Sequence, residues 1–508
     1  MNEVNKIRPP LDAWLRDWSA NKRYAVLAKL AQPSIRDLAF ARAPVASRLD
    51  SEAAVLVLRE FLALLPPDEA GPALDRLIER HPACRHARAW RAEQALNAGH
   101  ATAAIADLKR AMAAGFDDLH VQRLLVAAYG SLPPDARSPE IAAAVRPLED
   151  RFCGKPFSHF ETTESGDVYV CCPSYLPVAI GNIHQAAVDD IWNSPVAQEL
   201  RRSVLDGDFR YCSRLSCPAI QADRLPTRAA VAGPAAGNEG PERARLRDFA
   251  TAGAAKLGQG PAFVNLSHDR SCNLSCPSCR TGTIIAKSSE QEKLDVVRDR
   301  VVLPVLKSAN RVLITGSGDP FGSKHFRDVL DHLNPELFPD LRVDLQTNGQ
   351  LFTAREWQRL AGLHSMIGQV YVSIDAAAPE TYAEVRRGGS FSTLCANMEF
   401  IAGLRRAGQI RRLVIAFVVQ ACNFRQMEDF VELGRRWQVD LISFSRLRQW
   451  GAYKADDFAR RDIFFPGHPE HGAFRAVLES PVFAEPFVWL GNITSFIGAA
   501  PAARARPQ

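Results

Sequence analysis

Between residues 261 and 450 strand-like and helix-like segments alternate about six times, and this alternation limits the fold more than any other feature. The strand candidates are 263–266, 312–315, 343–346, 370–374, 414–419 and 442–444, with helical stretches between them. Thr353-Ala354-Arg355-Glu356 is a capping box that opens one of those helices. Strict alternation means parallel strands joined by right-handed crossovers, in a barrel-like or an open doubly wound sheet. In either arrangement, residues just past the strands gather at one end. Gly316-Ser317-Gly318-Asp319-Pro320 follows the second strand, and Thr347-Asn348-Gly349 the third. Ser373 and Asp375 close the fourth, Gln420 and Asn423 follow the fifth, and Arg446 the sixth. The glycine-rich turn 315–320 lets backbone approach a ligand closely.

The loop after the first strand carries Cys272, Cys276 and Cys279 in a C-x3-C-x2-C spacing, with no fourth cysteine beside it. Three thiolates on so tight a loop can grip three corners of one iron–sulfur cube. The fourth iron is then open to a small molecule, a catalytic arrangement, whereas a closed four-thiolate cluster carries electrons. The alternatives are a zinc knuckle or three unrelated core thiols; zinc sites pair C-x2-C elements and need four ligands.

This spacing, on a loop that follows the strand Phe263-Val264-Asn265-Leu266, resembles the signature of the radical S-adenosylmethionine (radical SAM) superfamily. The resemblance implies a six-stranded partial (β/α)6 barrel with a [4Fe–4S] cluster on Cys272, Cys276 and Cys279. The reduced cluster would cleave S-adenosylmethionine to methionine and a 5′-deoxyadenosyl radical, which takes hydrogen from a substrate. Ser317-Gly318-Asp319-Pro320 matches the family's Gly-Gly-Glu-Pro segment, which holds the cofactor's amine, with Asp319 where the glutamate is usual; the resemblance implies that Gly316, Gly318 and Asp319 border the cofactor. Ser373, Asp375 and Arg386 match a further pattern, Ser373 toward the ribose or amino-acid end of the cofactor and Arg386 toward its carboxylate, a suitable target for a bidentate guanidinium. The plainer reading of Arg386 is a surface arginine paired with Glu384. Ser278 departs from the aromatic residue that family members commonly carry before the third cysteine.

A second set of cysteines, Cys153, Cys171-Cys172, Cys212 and Cys217, frames Gly166-Asp167-Val168, Ile180-Gly181-Asn182-Ile183 and Asp190-Ile191-Trp192. This run resembles the SPASM-type auxiliary iron–sulfur domain, here placed before the barrel. The resemblance implies one auxiliary [4Fe–4S] cluster on Cys153, Cys171, Cys212 and Cys217, with Cys172 spare; structural zinc is the rival.

The remaining chain divides by texture. Residues 1–150 read as helices, with apolar spacing such as Ala54, Val55, Leu58, Phe61 and Leu62, and a faint tetratricopeptide-like stretch around Trp90, Gly99, Ala104 and Leu108. The domains expected are a helical region at 1–150, the SPASM-like domain at 151–220, an Ala/Gly/Pro-rich linker at 221–260, the barrel at 261–452, and an extension at 453–508 with a disordered end from 499. Cys84, Cys395 and Cys422 read as buried small apolar side chains, and His468-Pro469-Glu470-His471 as a loop without a third ligand. With 62 basic and 57 acidic residues, nothing points to nucleic acid or a membrane surface. Eleven cysteines and no apolar leader suggest a reducing cytoplasm.

A radical SAM enzyme acting on a peptide or protein side chain is the function expected. A small metabolite such as a sugar or lipid head group is the alternative substrate, and a non-catalytic iron–sulfur protein the third reading. The resemblance also implies an electron donor such as flavodoxin or ferredoxin.

Overall fold

The computed structural model describes residues 85–113, 119–234, 241–448 and 452–496, with a few positions between 71 and 79. The helical spacing at 54–62, Cys84, the centre of the expected linker and the expected disordered end lie outside the described residues. The chain divides into two compact units, 1–146 with 213–215, and 147–212 with 216–508.

In the first unit, helices Arg85–Asn97, Ala101–Ala113, Leu119–Gly130 and Pro139–Val145 are described. Ala89, Ala92, Ala104, Leu108, Val121 and Leu125 form its core, so Ala104 and Leu108 face inward as helical periodicity requires. Asp107, buried on the second of these helices, accepts two hydrogen bonds from Arg91 at 2.6 and 2.7 Å. That pairing ties the first described helix to the second.

The second unit is built on one sheet of ten strands: β1 His159–Thr162, β2 Asp167–Tyr169, β3 Gly181–Asn182, β4 Phe263–Leu266, β5 Arg311–Ile314, β6 Arg342–Thr347, β7 Ile367–Ser373, β8 Arg412–Val419, β9 Leu441–Arg446 and β10 Val488–Trp489. Strands β4 to β9 lie in sequence order and are all parallel, with Leu266 opposite Ile314, Ile314 opposite Leu345 and Ser373 opposite Ala416. Their runs of Val, Ile, Leu and Phe are buried in succession, as strands covered on both faces require. Every strand expected between 263 and 444 is present, and the class is mixed α/β.

Two arrangements were not legible beforehand. First, β1 of the cysteine-rich module pairs in parallel with β4, His159 opposite Phe263, so the module and the barrel share one sheet. β2 and β3 continue it antiparallel through a turn at Gly166, whose φ of +82 suits a residue without Cβ. At the other edge β10, from the C-terminal extension, pairs with β9. Second, the stretch read as a linker holds helices Arg228–Ala232 and Pro241–Ala252, whose Phe249 and Ala250 are buried in the main core. Apolar spacing within the second helix outweighs the Ala/Gly/Pro composition around it. Among the described residues, no helix is long and apolar enough to cross a membrane.

Where β1 meets β4, Thr162 Oγ1 lies 2.9 Å from His268 Nδ1, and His268 Nε2 lies 2.8 Å from His325 Nε2. Between the two rings one Nε2–H donates to the other ring's Nε2 lone pair, and the Nδ1 of His325 is buried without a partner. Both imidazoles are therefore held neutral. Burial lowers His268 well below the usual histidine range and pushes His325 down to about 4. A histidine depressed in the folded state takes up protons only on unfolding, so stability is complete above the ordinary value near 6.5 and is lost as pH falls toward 4. Denaturant melts from pH 7 to 4 will show a falling midpoint, with up to about 3 kcal/mol lost for His325 alone. The slope will flatten in His325→Phe, and an unchanged slope in that variant would mean the pair does not titrate on unfolding.

Candidate functional site

Because β4 to β9 are parallel and in register, their C-terminal ends open on one side, and the loops that follow carry the chemistry. The cysteine loop follows β4. Cys272 and Cys276 are buried with Leu274, and Cys279 packs against them half-buried.

Each of the three sulfurs faces hydrogen-bond donors. Cys272 Sγ receives the backbone N–H of Leu274 at 3.5 Å and the amide of Asn348 at 3.6 Å. Cys276 Sγ lies 3.8 Å from Arg386 Nη1, and Cys279 Sγ 3.3 Å from Arg280 Nη2. Burial pushes the Cys272 thiol up to about 11 and raises Cys276. Among the described residues, no three His, Cys, Asp or Glu side chains converge as a single metal ion would require. The fit to a cluster rests instead on those donors, since two guanidiniums and an amide aimed at sulfur suit thiolates.

Asp319, fully buried, does not stand free at the mouth. One carboxylate oxygen accepts from the backbone of Phe321 at 3.0 Å and Gly322 at 3.1 Å. The other accepts from Thr347 Oγ1 at 2.8 Å and the backbone of Asn348 at 2.9 Å. Burial pushes the carboxyl up, and these donors oppose that push. The Asp319 N–H in turn donates to Ser271 O, so the residue clamps the β5 turn to the end of β6 and to the cysteine loop.

The glycine turn serves the same clamp. A Cβ on Gly318 would sit 2.6 Å from the carbonyl oxygen of Asp269 and 2.8 Å from that of Ser271, and one on Gly316 would strike Ser267 Oγ. The close approach that glycine permits is thus to the cysteine loop.

Asp375 ends β7 in the left-handed region, at φ +63. Its carboxylate accepts from Val418 N at 2.8 Å and pairs with Arg386 Nη2 at 2.7 Å. Arg386 is therefore not the surface arginine of the plainer reading: Glu384 pairs with Arg461 instead. Burial works against the Arg386 charge, but Asp375 and Cys276 raise its pKa and keep it protonated, and its Nε is buried without a partner. Ser373 lies half-buried at the strand end. Asn423 donates to the carbonyls of Asp375 and Val418 and accepts from Gln420 N, fastening the β7 and β8 ends. Arg446 pairs with Asp462 at 2.6 Å.

In the module, Cys171 is pushed up by burial and by Cys153 and Cys217 beside it, and burial takes Cys153 up to about 11. Cys212 packs against the same core. Cys172 has other company, namely Glu161, Ser174 and Arg448. Cys395 and Cys422 are half-buried, not fully buried as expected. His468 and His471 bond separately to the carbonyls of Arg460 and Ile463, so they form no metal pair. Arg280, and the amide of Asn348 aimed at sulfur, went unassigned from sequence. The position of Arg280 directly after the third cysteine was the available signal.

Family models agree with this geometry. Residues 266–436 match the radical SAM superfamily and residues 153–218 an iron–sulfur cluster-binding domain, SPASM. The chain carries a radical SAM domain and a SPASM domain. Its cofactors are accordingly [4Fe–4S] clusters and S-adenosylmethionine. It is similar to the GTP 3′,8-cyclase of Alkaliphilus oremlandii, 28% identical over 200 residues, 37% of this chain and 59% of that protein. The GTP 3′,8-cyclase of Alkaliphilus metalliredigens is 28% identical over 175 residues, 34% of this chain and 52% of that one. The chain thus spans between half and three fifths of the length of these relatives. Among solved structures, Streptococcus suis SuiB bound to its precursor peptide SuiA is 13% identical, with a TM-score of 0.28 over 53% of this chain and 60% of that one.

The clamp predicts a sharp steric asymmetry. Gly318→Ala will keep its far-UV circular dichroism, yet the iron bound after anaerobic reconstitution will fall to roughly half, because its Cβ displaces the cysteine loop. Gly282→Ala is the control, since a Cβ there meets nothing within 4 Å. Equal iron in both variants would remove the steric account.

Proposed function

We propose that Cys272, Cys276 and Cys279 hold the cluster that binds S-adenosylmethionine, and that the chain uses it to abstract hydrogen from a peptide or protein side chain. The observation that carries the first part is the donor set: each of the three sulfurs faces at least one hydrogen-bond donor. Bound together, the cluster and S-adenosylmethionine supply one-electron reductive cleavage and hydrogen-atom abstraction. Asn348, Arg386 and Arg280 orient the sulfurs, and Arg280 offsets their charge. Arg386, with an Nε still unpartnered, also has a donor to offer the cofactor's carboxylate. Asp319 is spent on internal donors, so it positions the loop and is not itself a partner for the cofactor's amine. Gly316, Gly318 and Ser373 border the same mouth. In the module, Cys153, Cys171, Cys212 and Cys217 are the proposed ligands of the auxiliary cluster, and Cys172, turned toward Glu161 and Arg448, stays outside it.

The peptide reading rests on the SPASM domain, whose kind accompanies peptide-maturing enzymes. A small-metabolite reading has its own support, since both curated relatives are named for acting on GTP. A flavodoxin or ferredoxin is the proposed electron donor.

Reconstituted protein will bind about eight irons, as two cubanes. Replacing Cys272, Cys276 and Cys279 together with Ala will remove about half and abolish cleavage of S-adenosylmethionine under dithionite. Full iron in that triple variant would sink the assignment. Deuterated peptide and nucleotide pools, incubated anaerobically with the enzyme, will separate the substrates: label passes into 5′-deoxyadenosine from the peptide pool on the reading favoured here, and from the nucleotide pool on the other.

A further inference from the structure

We propose that Arg280 sets the reduction potential of the cluster on Cys272, Cys276 and Cys279, by a charged hydrogen bond to the Cys279 sulfur that favours the reduced form. The inference rests on the cluster reading above and goes beyond it, from which residues hold the cluster to how readily it takes an electron.

Arg280 is 4% exposed. Its Nη1 donates to the carbonyl of Arg270, and its Nη2 to the carbonyl of Ser317 and to Cys279 Sγ. The two carbonyl partners fix the guanidinium plane between the cysteine loop and the β5 turn and so hold the contact with sulfur in place. None of the ion pairs among the described residues involves Arg280, and the side chain it donates to is Cys279. A buried cation without a carboxylate is expensive unless an anion arrives to meet it. Arg386 differs, because Asp375 already neutralises it at 2.7 Å. Arg280 therefore brings a net positive charge to the sulfurs, and Arg386 with Asp375 brings almost none.

Electrostatics gives the sign. Reduction adds one electron to the cluster, supplied by a one-electron donor, and no proton need move. The added negative charge is stabilised by a cation at hydrogen-bond distance in a medium of low dielectric, so the potential rises. Asp319, whose charge bears on Cys272, acts in the opposite direction. Without Arg280 the electron would enter a pocket dominated by thiolates and buried carboxylates.

The test is a redox titration followed by electron paramagnetic resonance. Reconstituted wild type, Arg280→Lys and Arg280→Met are compared, with titanium(III) citrate as reductant. Signals that do not respond to S-adenosylmethionine serve as the internal control. The signal that does respond will require a lower potential in Arg280→Met, with the reduced fraction at a fixed potential about tenfold smaller, or about 59 mV for one electron. Arg280→Lys, which keeps the charge but lacks the planar fork, will shift less. An unchanged potential in a fully iron-loaded Arg280→Met overturns the inference. Where that variant loses iron, pulsed resonance on [15N]arginine-labelled wild type decides. A guanidinium nitrogen coupled to the reduced cluster and lost in Arg280→Lys supports the assignment, and no such coupling overturns it. Failure of the underlying reading looks different, because wild type would then carry no iron on the three cysteines at all.

Discussion

Five hydrogen bonds around one residue hold the mouth of the sheet together. The Asp319 carboxylate accepts from Phe321, Gly322, Thr347 and Asn348, and its own N–H reaches Ser271. Two strand ends and the cysteine loop are thereby fixed to one buried charge. Asp269 extends the clamp, accepting from Ser271 and from Ser323, the residue that caps helix Lys324–His332. A buried carboxylate so placed costs desolvation that its donors must repay, and leaving any of them unpaired costs about 1–3 kcal/mol. The positions of the sulfurs are a consequence of this clamp, because the loop that carries them has little other regular structure.

Charge is arranged around the sulfurs in a definite sequence. Asp375 anchors to β8 through Val418 N and then neutralises Arg386, whose other nitrogen faces Cys276. That geometry needs the left-handed backbone at Asp375, a conformation aspartate tolerates better than most residues. Asn348 joins the clamp to the first cysteine, for its backbone N–H serves Asp319 while its side chain faces the Cys272 sulfur. A single residue thus transmits the position of β6 to the first sulfur.

Much of this was legible in the sequence. Alternating apolar runs placed every strand from β4 to β9, because parallel strands buried on both faces leave uninterrupted hydrophobic stretches. Position after those strands also placed the polar residues at one end. What could not be read is partnership. Asp319 in a glycine turn looks like a free acid, and only the register of β5 against β6 brings Thr347 and Asn348 to its oxygens. Arg280 looks like any loop arginine until Arg270 and Ser317 are seen to pin it. Helix Pro241–Ala252 was hidden by its flanks, where alanine, glycine and proline dominate and two buried residues, Phe249 and Ala250, carry the packing. The strand β1 was missed because four residues give no periodicity to measure.

That short strand changes how the cysteine-rich module must be understood. Paired in parallel with β4, it makes the module part of the same sheet that presents the cysteine loop. Side chains reinforce the joint: Thr162 bonds to His268, and Glu164 from the β1–β2 turn pairs with Arg270 at 2.6 Å. Arg270 in turn donates to the carbonyl of Cys279 and accepts from Arg280. The hairpin of the module is therefore two contacts from the Cys279 backbone and three from its sulfur. Deleting the module would bare the edge of β4 and release Arg270, so loss of activity after such a deletion would say nothing about electron transfer. Only single substitutions at the module's own cysteines, which leave β1 and Glu164 in place, can separate its structural role from a role in the chemistry.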